Sequence, residues 1–149
     1  MSTGKSPRIG EVLPTDAWAI LGSEINAQLV DVRTQAEWGF VGVPDVSELG
    51  HTLIRVEWAG FPGMSANPRF AEAVMEELGD KEPGILLFIC RSGVRSLRAA
   101  EAVAEHLSAK GVSVQCLNVA EGFEGDLDQY GHRGNHNGWK HRGLAWRQS

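Results

Sequence analysis

The residues best suited to chemistry lie together in the segment Cys90-Arg-Ser-Gly-Val-Arg-Ser96, which directly follows the apolar run Ile85 to Ile89. A loop that folds over a cysteine at such a place aims its backbone N–H groups at the sulfur, and a following helix adds the positive end of its dipole. Because Arg91 and Arg95 add two cations, we expect the Cys90 thiol to have a pKa below the ~8.5 of free cysteine. The segment therefore predicts a nucleophilic Cys90 in an anion cradle.

The other residues of this loop are expected to bind the substrate. The predicted cradle consists of the backbone amides and side chains of Arg91, Ser92, Gly93, Val94, Arg95 and Ser96. Ser96 at the helix start either donates to the sulfur or caps the helix, and both roles stay open. Neither a metal nor another cofactor is expected, because the three histidines of the glycine-rich C-terminal part lack a cysteine or spaced carboxylates to complete a ligand set (His132, His136 and His141).

The length of the loop separates two chemistries that use such a cradle. Phosphatases of this design place five residues between the nucleophilic cysteine and the arginine, which makes room for a tetrahedral phosphate, whereas four residues separate Cys90 from Arg95. The shorter loop favours attack on a smaller centre, such as the outer sulfur of a sulfane donor. A Cys-dependent phosphatase or arsenate reductase is the less favoured alternative, and no general acid for it can be located.

Segments with the hydrophobic pattern of strands alternate with segments that have the pattern of helices, and these elements position the loop. Four short apolar runs predict strands covered on both faces, at Gln28–Val32, Thr52–Val56, Ile85–Cys90 and Ser113–Asn118. Helical patterns fall between them, at Pro14–Leu21, Asn67–Leu78 and Arg95–Leu107. This alternation predicts an α/β fold with a mostly parallel sheet, helices on both faces and the ligand site at the carboxyl ends of the strands. From Gly122 onward we expect mainly loop.

Three motifs in this order resemble the rhodanese family of sulfurtransferase domains: Leu29-Val-Asp31-Val-Arg33 with Glu37-Trp38, the Cys90–Ser96 loop, and Asn118–Phe123 with Gly138-Trp139 through Leu144. The resemblance implies a three-layer domain over residues 10–147 with a five-stranded sheet, whose fifth strand falls near Glu11 and Val12. It also implies that Cys90 takes a sulfane sulfur from a donor such as thiosulfate, becomes a persulfide, and passes the sulfur to cyanide or a thiol. This is the activity of a thiosulfate sulfurtransferase.

The chain departs from the family pattern at three places. Gly42 stands where the family has a histidine, Glu121 stands where it usually has a glycine, and an insertion at about 126–138 interrupts the closing motif. We expect residues 130–139 to cover part of the site and to set the choice of acceptor.

Several residues near these motifs have structural roles in the prediction. Asp31 and Arg33 are expected to support the strand end beside the Cys90 loop. Cys116 is expected to be a buried hydrophobic residue with a raised pKa. Three apolar residues after the second predicted strand are expected either to line the pocket or to pack at its edge (Trp58, Phe61 and Met64).

Composition bounds the class of protein. The chain has 149 residues, 42% of them hydrophobic, and its 14 basic and 19 acidic side chains give a net charge of −5. This predicts one globular domain. Two cysteines are too few for a disulfide framework, so we expect free thiols in the cytoplasm. No apolar run approaches the ~20 residues of a membrane span, and the polar residues 1–9 predict a flexible start without a signal sequence.

The expected partners follow from the same observations. Without a basic run, neither nucleic acid nor a membrane is expected as a partner. A small anionic sulfur donor is expected, either thiosulfate or a three-carbon mercapto acid, together with a thiol or cyanide acceptor. Two alternatives remain: a sulfur-relay or persulfide-binding module that works with a protein sulfur acceptor, and a non-catalytic scaffold without a thiolate near pH 7.

Overall fold

The computed structural model describes residues 9–60 and 63–148. Most of the predicted flexible start, residues 1–8, therefore lies outside the described residues, as does Phe61. The elements follow in the order β1 (Gly10–Val12), α1 (Pro14–Ser23), β2 (Ala27–Asp31), α2 (Gln35–Val41), β3 (Val43–Pro44), a 3-10 helix (Ser47–Leu49), β4 (Ile54–Arg55), β5 (Ala59–Gly60), β6 (Ser65–Ala66), α3 (Phe70–Leu78), β7 (Ile85–Ile89), α4 (Val94–Ala109), β8 (Gln115–Val119) and β9 (Trp146–Arg147).

Five of the strands form the central sheet, in the order β1-β8-β7-β2-β4. Every neighbouring pair in it is parallel. The register places Asp31 beside both Ile89 and Arg55, so the carboxyl ends of β7, β2 and β4 lie at one edge of the sheet. The predicted α/β fold with a parallel five-stranded sheet is confirmed, including the strand at Glu11 and Val12.

The sheet has an apolar core on each face. Helices α3 and α4 pack on one face, against alternate strand residues that include Val30, Phe88 and Cys116. Helix α1 and part of the chain after β8 pack on the other face, against Leu29, Leu87 and neighbouring residues. This alternation is what strands with both faces covered produce, and it gives the three-layer architecture. On the α3 side, Trp58 contacts Phe70 edge to face, with ring centroids 5.3 Å apart.

The observed bounds of most elements differ from the predicted ones by one to three residues, and two of these differences have a clear physical reason. β4 spans Ile54–Arg55 rather than Thr52–Val56, because it is the edge strand and pairs only with β2. α3 begins at Phe70 rather than near Asn67, whose side chain accepts a hydrogen bond from the backbone of Arg69 and forms a turn before the helix.

Helix α2 was not predicted, although the sequence carries a signal for it. The hydroxyl of Thr34 accepts a hydrogen bond from the backbone N–H of Glu37 at 3.2 Å, and the Glu37 carboxylate accepts one from the backbone of Thr34 at 3.0 Å. This reciprocal capping box satisfies two N–H groups at the helix start. With only seven residues, the helix is too short to show a clear apolar period.

The structure explains why this chain has a glycine at position 42, where the family pattern has a histidine. Its backbone is left-handed, with a φ of 104°, and a Cβ there would lie 2.8 Å from the carbonyl oxygen of Arg147. Residues just after it in β3 pair antiparallel with β9, near the end of the described chain. A side chain at this position is therefore incompatible with the way β9 packs.

In the part of the chain that the structure describes, no helix is both long and apolar enough to cross a membrane.

Candidate active site

The sulfur of Cys90 lies just beyond the end of β7, with the residue 1% exposed. The backbone N–H of Gly93 donates a hydrogen bond to Sγ at 3.1 Å. This is possible because Gly93 has a φ of 110°, a conformation that glycine adopts without strain and that turns the loop back over the sulfur. Of the amides predicted to form the cradle, the one bonded to the resting sulfur is that of Gly93.

The hydroxyl of Ser96 links this sulfur to two neighbouring strands. Ser96 Oγ lies 3.2 Å from Cys90 Sγ and 2.5 Å from Asn118 Oδ1. Asn118, at the end of β8, donates from Nδ2 to the carbonyl oxygen of Gly93 and to the Glu11 carboxylate of β1, both at 3.0 Å. Asn118 belongs to the predicted closing motif, but no role was predicted for it. Its place opposite Phe88, one strand from the Cys90 loop, depends on the register of the sheet, which no local sequence pattern shows.

Arg95 is engaged by a carboxylate from another element. Its guanidinium donates two hydrogen bonds of 2.8 Å to Glu37 on α2, and the side chains are 20% and 18% exposed. Burial alone raises the pKa of Glu37, but hydrogen bonds from Arg95 and Thr34 outweigh it and lower this pKa to about 2. Arg95 was predicted to be a cation of the anion cradle, and in the structure Glu37 compensates its charge and fixes its orientation.

Arg91 contrasts with Arg95 because its side chain is exposed. Among the residues that the structure describes, the Arg91 guanidinium forms no ion pair or hydrogen bond. Val94 in the same loop is 69% exposed, while Ser92 is partly buried. The exposed side chains of the Cys90 loop thus include one uncompensated cation and one apolar residue.

The segment after β8 forms backbone hydrogen bonds with the Cys90 loop. The backbone N–H of Phe123 donates to the carbonyl oxygen of Cys90 at 2.8 Å, and that of Glu124 donates to Arg91 at 3.0 Å. Gly122 permits this approach, since a Cβ there would lie 2.5 Å from the Arg91 carbonyl oxygen. The departure at Glu121 is part of the same arrangement. Glu121 has a φ of 71°, a conformation that favours glycine. Its carboxylate accepts two hydrogen bonds from Arg142, at 2.7 and 2.6 Å.

Asp31 and Arg33 form a fully buried ion pair next to the site, with a shortest distance of 2.7 Å and both side chains 0% exposed. Arg33 also donates to the carbonyl oxygen of Gly42 at 2.7 Å and lies 4.3 Å from the centre of the Phe123 ring. The pair thereby joins β2, the end of α2 and the closing segment. Neither side chain forms a hydrogen bond with Cys90 Sγ, so the pair has the geometry of a structural support.

The predicted insertion is a closed loop whose ends meet. A Cβ on Gly138 would lie 2.6 Å from the backbone nitrogen of Gly125, and Asp126 donates from its backbone to the side chain of Asn137 at 2.8 Å. The two ends of the insertion therefore lie directly after the segment that donates hydrogen bonds to Arg91. Within residues 9–60 and 63–148, no group of three or more His, Cys, Asp or Glu side chains is arranged to hold a metal ion.

Relatives of this chain span nearly its whole length. An uncharacterised protein of Rickettsia rickettsii, an RP600 homolog, is 33% identical over 138 residues, which cover 93% of this chain and 97% of that protein. The crystal structure of Rv0390 from M. tuberculosis is 43% identical with a TM-score of 0.78, and the match covers 96% of this chain and 100% of that chain. No protein-family model matches the chain.

Two solved structures of lower identity are similar in fold. A polysulfide-sulfur transferase homodimer from Wolinella succinogenes is 18% identical with a TM-score of 0.57, covering 95% of this chain and 80% of that chain. RPA3614 from Rhodopseudomonas palustris, a protein of unknown function described as a possible tyrosine phosphatase, is 17% identical with a TM-score of 0.51, covering 93% and 85%. The chain therefore has a rhodanese-like fold and belongs to the family of Rv0390 and the uncharacterised rickettsial RP600 proteins.

Proposed function

We propose that this protein is a sulfurtransferase in which Cys90 carries the transferred sulfur as a persulfide. The observation that carries the proposal is the position of Cys90 Sγ: it lies at the carboxyl end of β7, under a loop whose Gly93 N–H points at it from 3.1 Å. Four residues separate Cys90 from Arg95, which favours a sulfane sulfur over a phosphate. The similarity in fold to a sulfurtransferase adds support.

The proposed reaction has two displacement steps. The Cys90 thiolate attacks the outer sulfur of thiosulfate, the S–S bond of the donor breaks with its electron pair, and sulfite leaves as a dianion. The product on the protein is Cys90–S–S⁻. Cyanide or a thiolate then attacks the outer sulfur, the new S–S bond breaks, and the Cys90 thiolate is restored together with thiocyanate or an acceptor persulfide. Neither step requires a cofactor.

Three residues of the loop have distinct tasks in this reaction. Arg91, the exposed and uncompensated cation of the loop, attracts the anionic donor, which the net charge of −5 otherwise repels. The Gly93 N–H stabilises negative charge on sulfur, as inward backbone donors do for other anions. Arg95, held by Glu37, fixes the first turn of α4 and adds a field of fixed direction.

Mass spectrometry and an activity assay test this function together. Incubation with thiosulfate should add the mass of one sulfur atom to the Cys90 peptide, and addition of cyanide should remove it and release thiocyanate. Cys90→Ala should abolish both signals, while Cys116→Ala, the matched control at the other buried thiol, should retain them. If no persulfide and no product form with thiosulfate, polysulfide or mercaptopyruvate, the proposal is wrong.

A relay role is the second candidate, and the exposed Val94 favours it. An apolar side chain that is 69% exposed at the lip of the site is suited to contact with a protein sulfur acceptor. In that case Cys90 should form the persulfide with thiosulfate yet turn over slowly with cyanide. Both thiols are free, which fits the reducing cytoplasmic setting that we propose for either role.

A further inference from the structure

Asn118 has only one possible orientation in the network around Cys90. Its side-chain amide faces the carbonyl oxygen of Gly93 and the carboxylate of Glu11 on one end, each at 3.0 Å. Both of these groups are acceptors, so the NH₂ group must lie on this end and Oδ1 must lie on the other. Asn118 is 1% exposed, and Oδ1 faces Ser96 Oγ at 2.5 Å. An amide oxygen can only accept, so Ser96 has to donate there.

This orientation determines what Ser96 presents to the sulfur. A serine hydroxyl has a single hydrogen, and the short contact with Asn118 uses it. What remains at 3.2 Å from Cys90 Sγ is a lone pair of the hydroxyl oxygen. A lone pair accepts a hydrogen bond from an S–H group and is unfavourable beside an anionic sulfur. Ser96 therefore stabilises the thiol form of Cys90, the opposite of a donor to the thiolate.

We propose that Asn118 is a positioning residue that turns Ser96 into a hydrogen-bond acceptor, so that Ser96 favours the thiol form of the resting Cys90 over its thiolate. To become nucleophilic, the thiol loses its proton to solvent and gives up the bond to Ser96, leaving a thiolate held by the Gly93 N–H. The inference rests on the proposed function in taking Cys90 as the nucleophile, and it adds a regulation of that nucleophile. Ser96 and Asn118 are 22 positions apart in the sequence, which explains why the sequence alone did not show their contact.

Charged groups on the surrounding elements are the same in every variant of the test. Most of them already have partners, since Asp31 is bonded to Arg33 and Glu37 to Arg95. Charged residues on the elements and loops around Cys90 include Glu11, Asp31, Arg33, Glu37, Arg55, Arg91, Arg95, Arg98, Glu101, Glu121 and Glu124. A change at an uncharged residue of the network therefore reports on hydrogen bonding, because no formal charge is added or removed.

The sign of one measurement separates the two roles of Ser96. The rate at which iodoacetamide alkylates the Cys90 peptide is followed against pH, and the pH of half-maximal rate is compared between variants. Loss of an acceptor in Ser96→Ala should lower this pH by about one unit, because the thiol form loses its hydrogen bond. A donor role predicts a rise. Either a rise or no change overturns the inference.

Asn118→Ala supplies the second arm. With its hydrogen released, Ser96 can donate to the sulfur, so the pH of half-maximal rate should again fall. The same substitution placed on Ser96→Ala should cause no further fall, because the hydroxyl that Asn118 controls is then absent. A further fall in the double variant overturns the inference. If Asn118→Ala does not fold, Ser96→Ala still decides, since it leaves the bonds from Asn118 to Gly93 and Glu11 in place.

A matched control and an independent readout complete the test. Ser108→Ala changes an exposed serine on the same helix and should leave the alkylation profile unchanged. Alkylation needs no sulfur donor, so the inference and the proposed function fail separately. If Ser96→Ala lowers the pH of half-maximal alkylation while the wild type transfers no sulfur, the inference is supported and the proposed function is wrong. If the wild type transfers sulfur while Ser96→Ala raises this pH, the proposed function is supported and the inference is wrong.

Discussion

The two cysteines of this chain are alike in burial and differ in nearly everything else. Cys90 is 1% exposed and Cys116 5% exposed, and both belong to the core cluster between the sheet and helices α3 and α4. Cys116 lies inside β8 opposite Leu86, and burial raises its pKa to about 11, as the sequence predicted. Cys90 lies one residue past the end of β7, where a backbone N–H and a hydroxyl reach its sulfur.

The difference between them shows what makes a buried thiol useful. Removal from water by itself favours the neutral thiol, which is the state of Cys116. Inside a strand the backbone N–H groups are occupied by the neighbouring strands, so none is free to face a side chain. At a strand end, the loop that follows supplies such groups. A buried cysteine inside a strand is therefore inert, whereas one just past the end of a strand is a candidate nucleophile.

The largest expected effect is a selectivity in alkylation. At pH 7, a thiol with a pKa of about 11 has a thiolate fraction of about 10⁻⁴, so Cys116 should react with iodoacetamide at least ~100-fold more slowly than Cys90. Peptide mass spectrometry of the native protein measures both rates. In the denatured chain the two cysteines should react equally, which is the control. Equal rates in the native protein would contradict the comparison.

Gly122→Ala should damage the surroundings of Cys90 and leave those of Cys116 intact. Its new Cβ would lie 2.5 Å from the Arg91 carbonyl, so the closing segment must move away, and we expect sulfur transfer to fall about 100-fold in kcat/KM. Gly111→Ala is the matched control, because it has a similar φ of 72° but open space around the new Cβ. It should cost about 1 kcal/mol of stability from strain alone. Equal losses of activity in both variants would contradict the role of Gly122.

Cys116 should make stability depend on alkaline pH. Its pKa is raised from 9.0 to about 11 by burial, so its contribution to stability is complete below pH 9 and is lost as pH rises through 11. The loss should amount to about 2–3 kcal/mol of unfolding free energy. Urea unfolding at pH 8 and pH 11 measures it, and Cys116→Ala should lack this part of the decrease. An identical decrease in the variant would show that other groups cause it.

Arg91→Ala should weaken donor binding without disturbing the sulfur. Because this guanidinium has no ion-pair partner among the described residues, its loss removes attraction for thiosulfate directly. We expect KM for thiosulfate to rise about tenfold, equivalent to about 1.4 kcal/mol, with a smaller change in kcat. Arg91→Lys should recover part of the loss, and added salt should reduce the difference. A KM equal to that of the wild type would refute this role.

The smallest effect is expected from removing the insertion. Deletion of residues 126–137 joins Gly125 to Gly138, which are already in contact. We expect the acceptor KM to change about threefold, while KM for thiosulfate and the alkylation rate of Cys90 stay the same. Steady-state kinetics with cyanide and a thiol acceptor measure this. Unaltered acceptor kinetics in a folded deletion variant would remove the insertion from the site.

Local patterns predicted the elements that carry the site, and long-range contacts decided the rest. The strand before the loop followed from a continuous apolar run, predicted as Ile85–Cys90 and observed as Ile85–Ile89, and helix α4 followed from its helical apolar period. β3 and β9 were missed since each has two residues and exists through a pairing between Val43 and Arg147, more than a hundred residues apart. The Glu37–Arg95 pair was missed for the same reason, although the capping box of α2 could have indicated where Glu37 lies.

The sequence by itself determined that Cys90 follows a buried strand and precedes a helix, with two arginines and a glycine in the loop. Only the tertiary structure decided which arginine stays uncompensated and which way the hydroxyl of Ser96 points. The physical reason is the strand order β1-β8-β7-β2-β4, which brings the ends of strands distant in sequence to one edge. Hydrogen-bond partners across that edge depend on register and packing, and no local pattern specifies them.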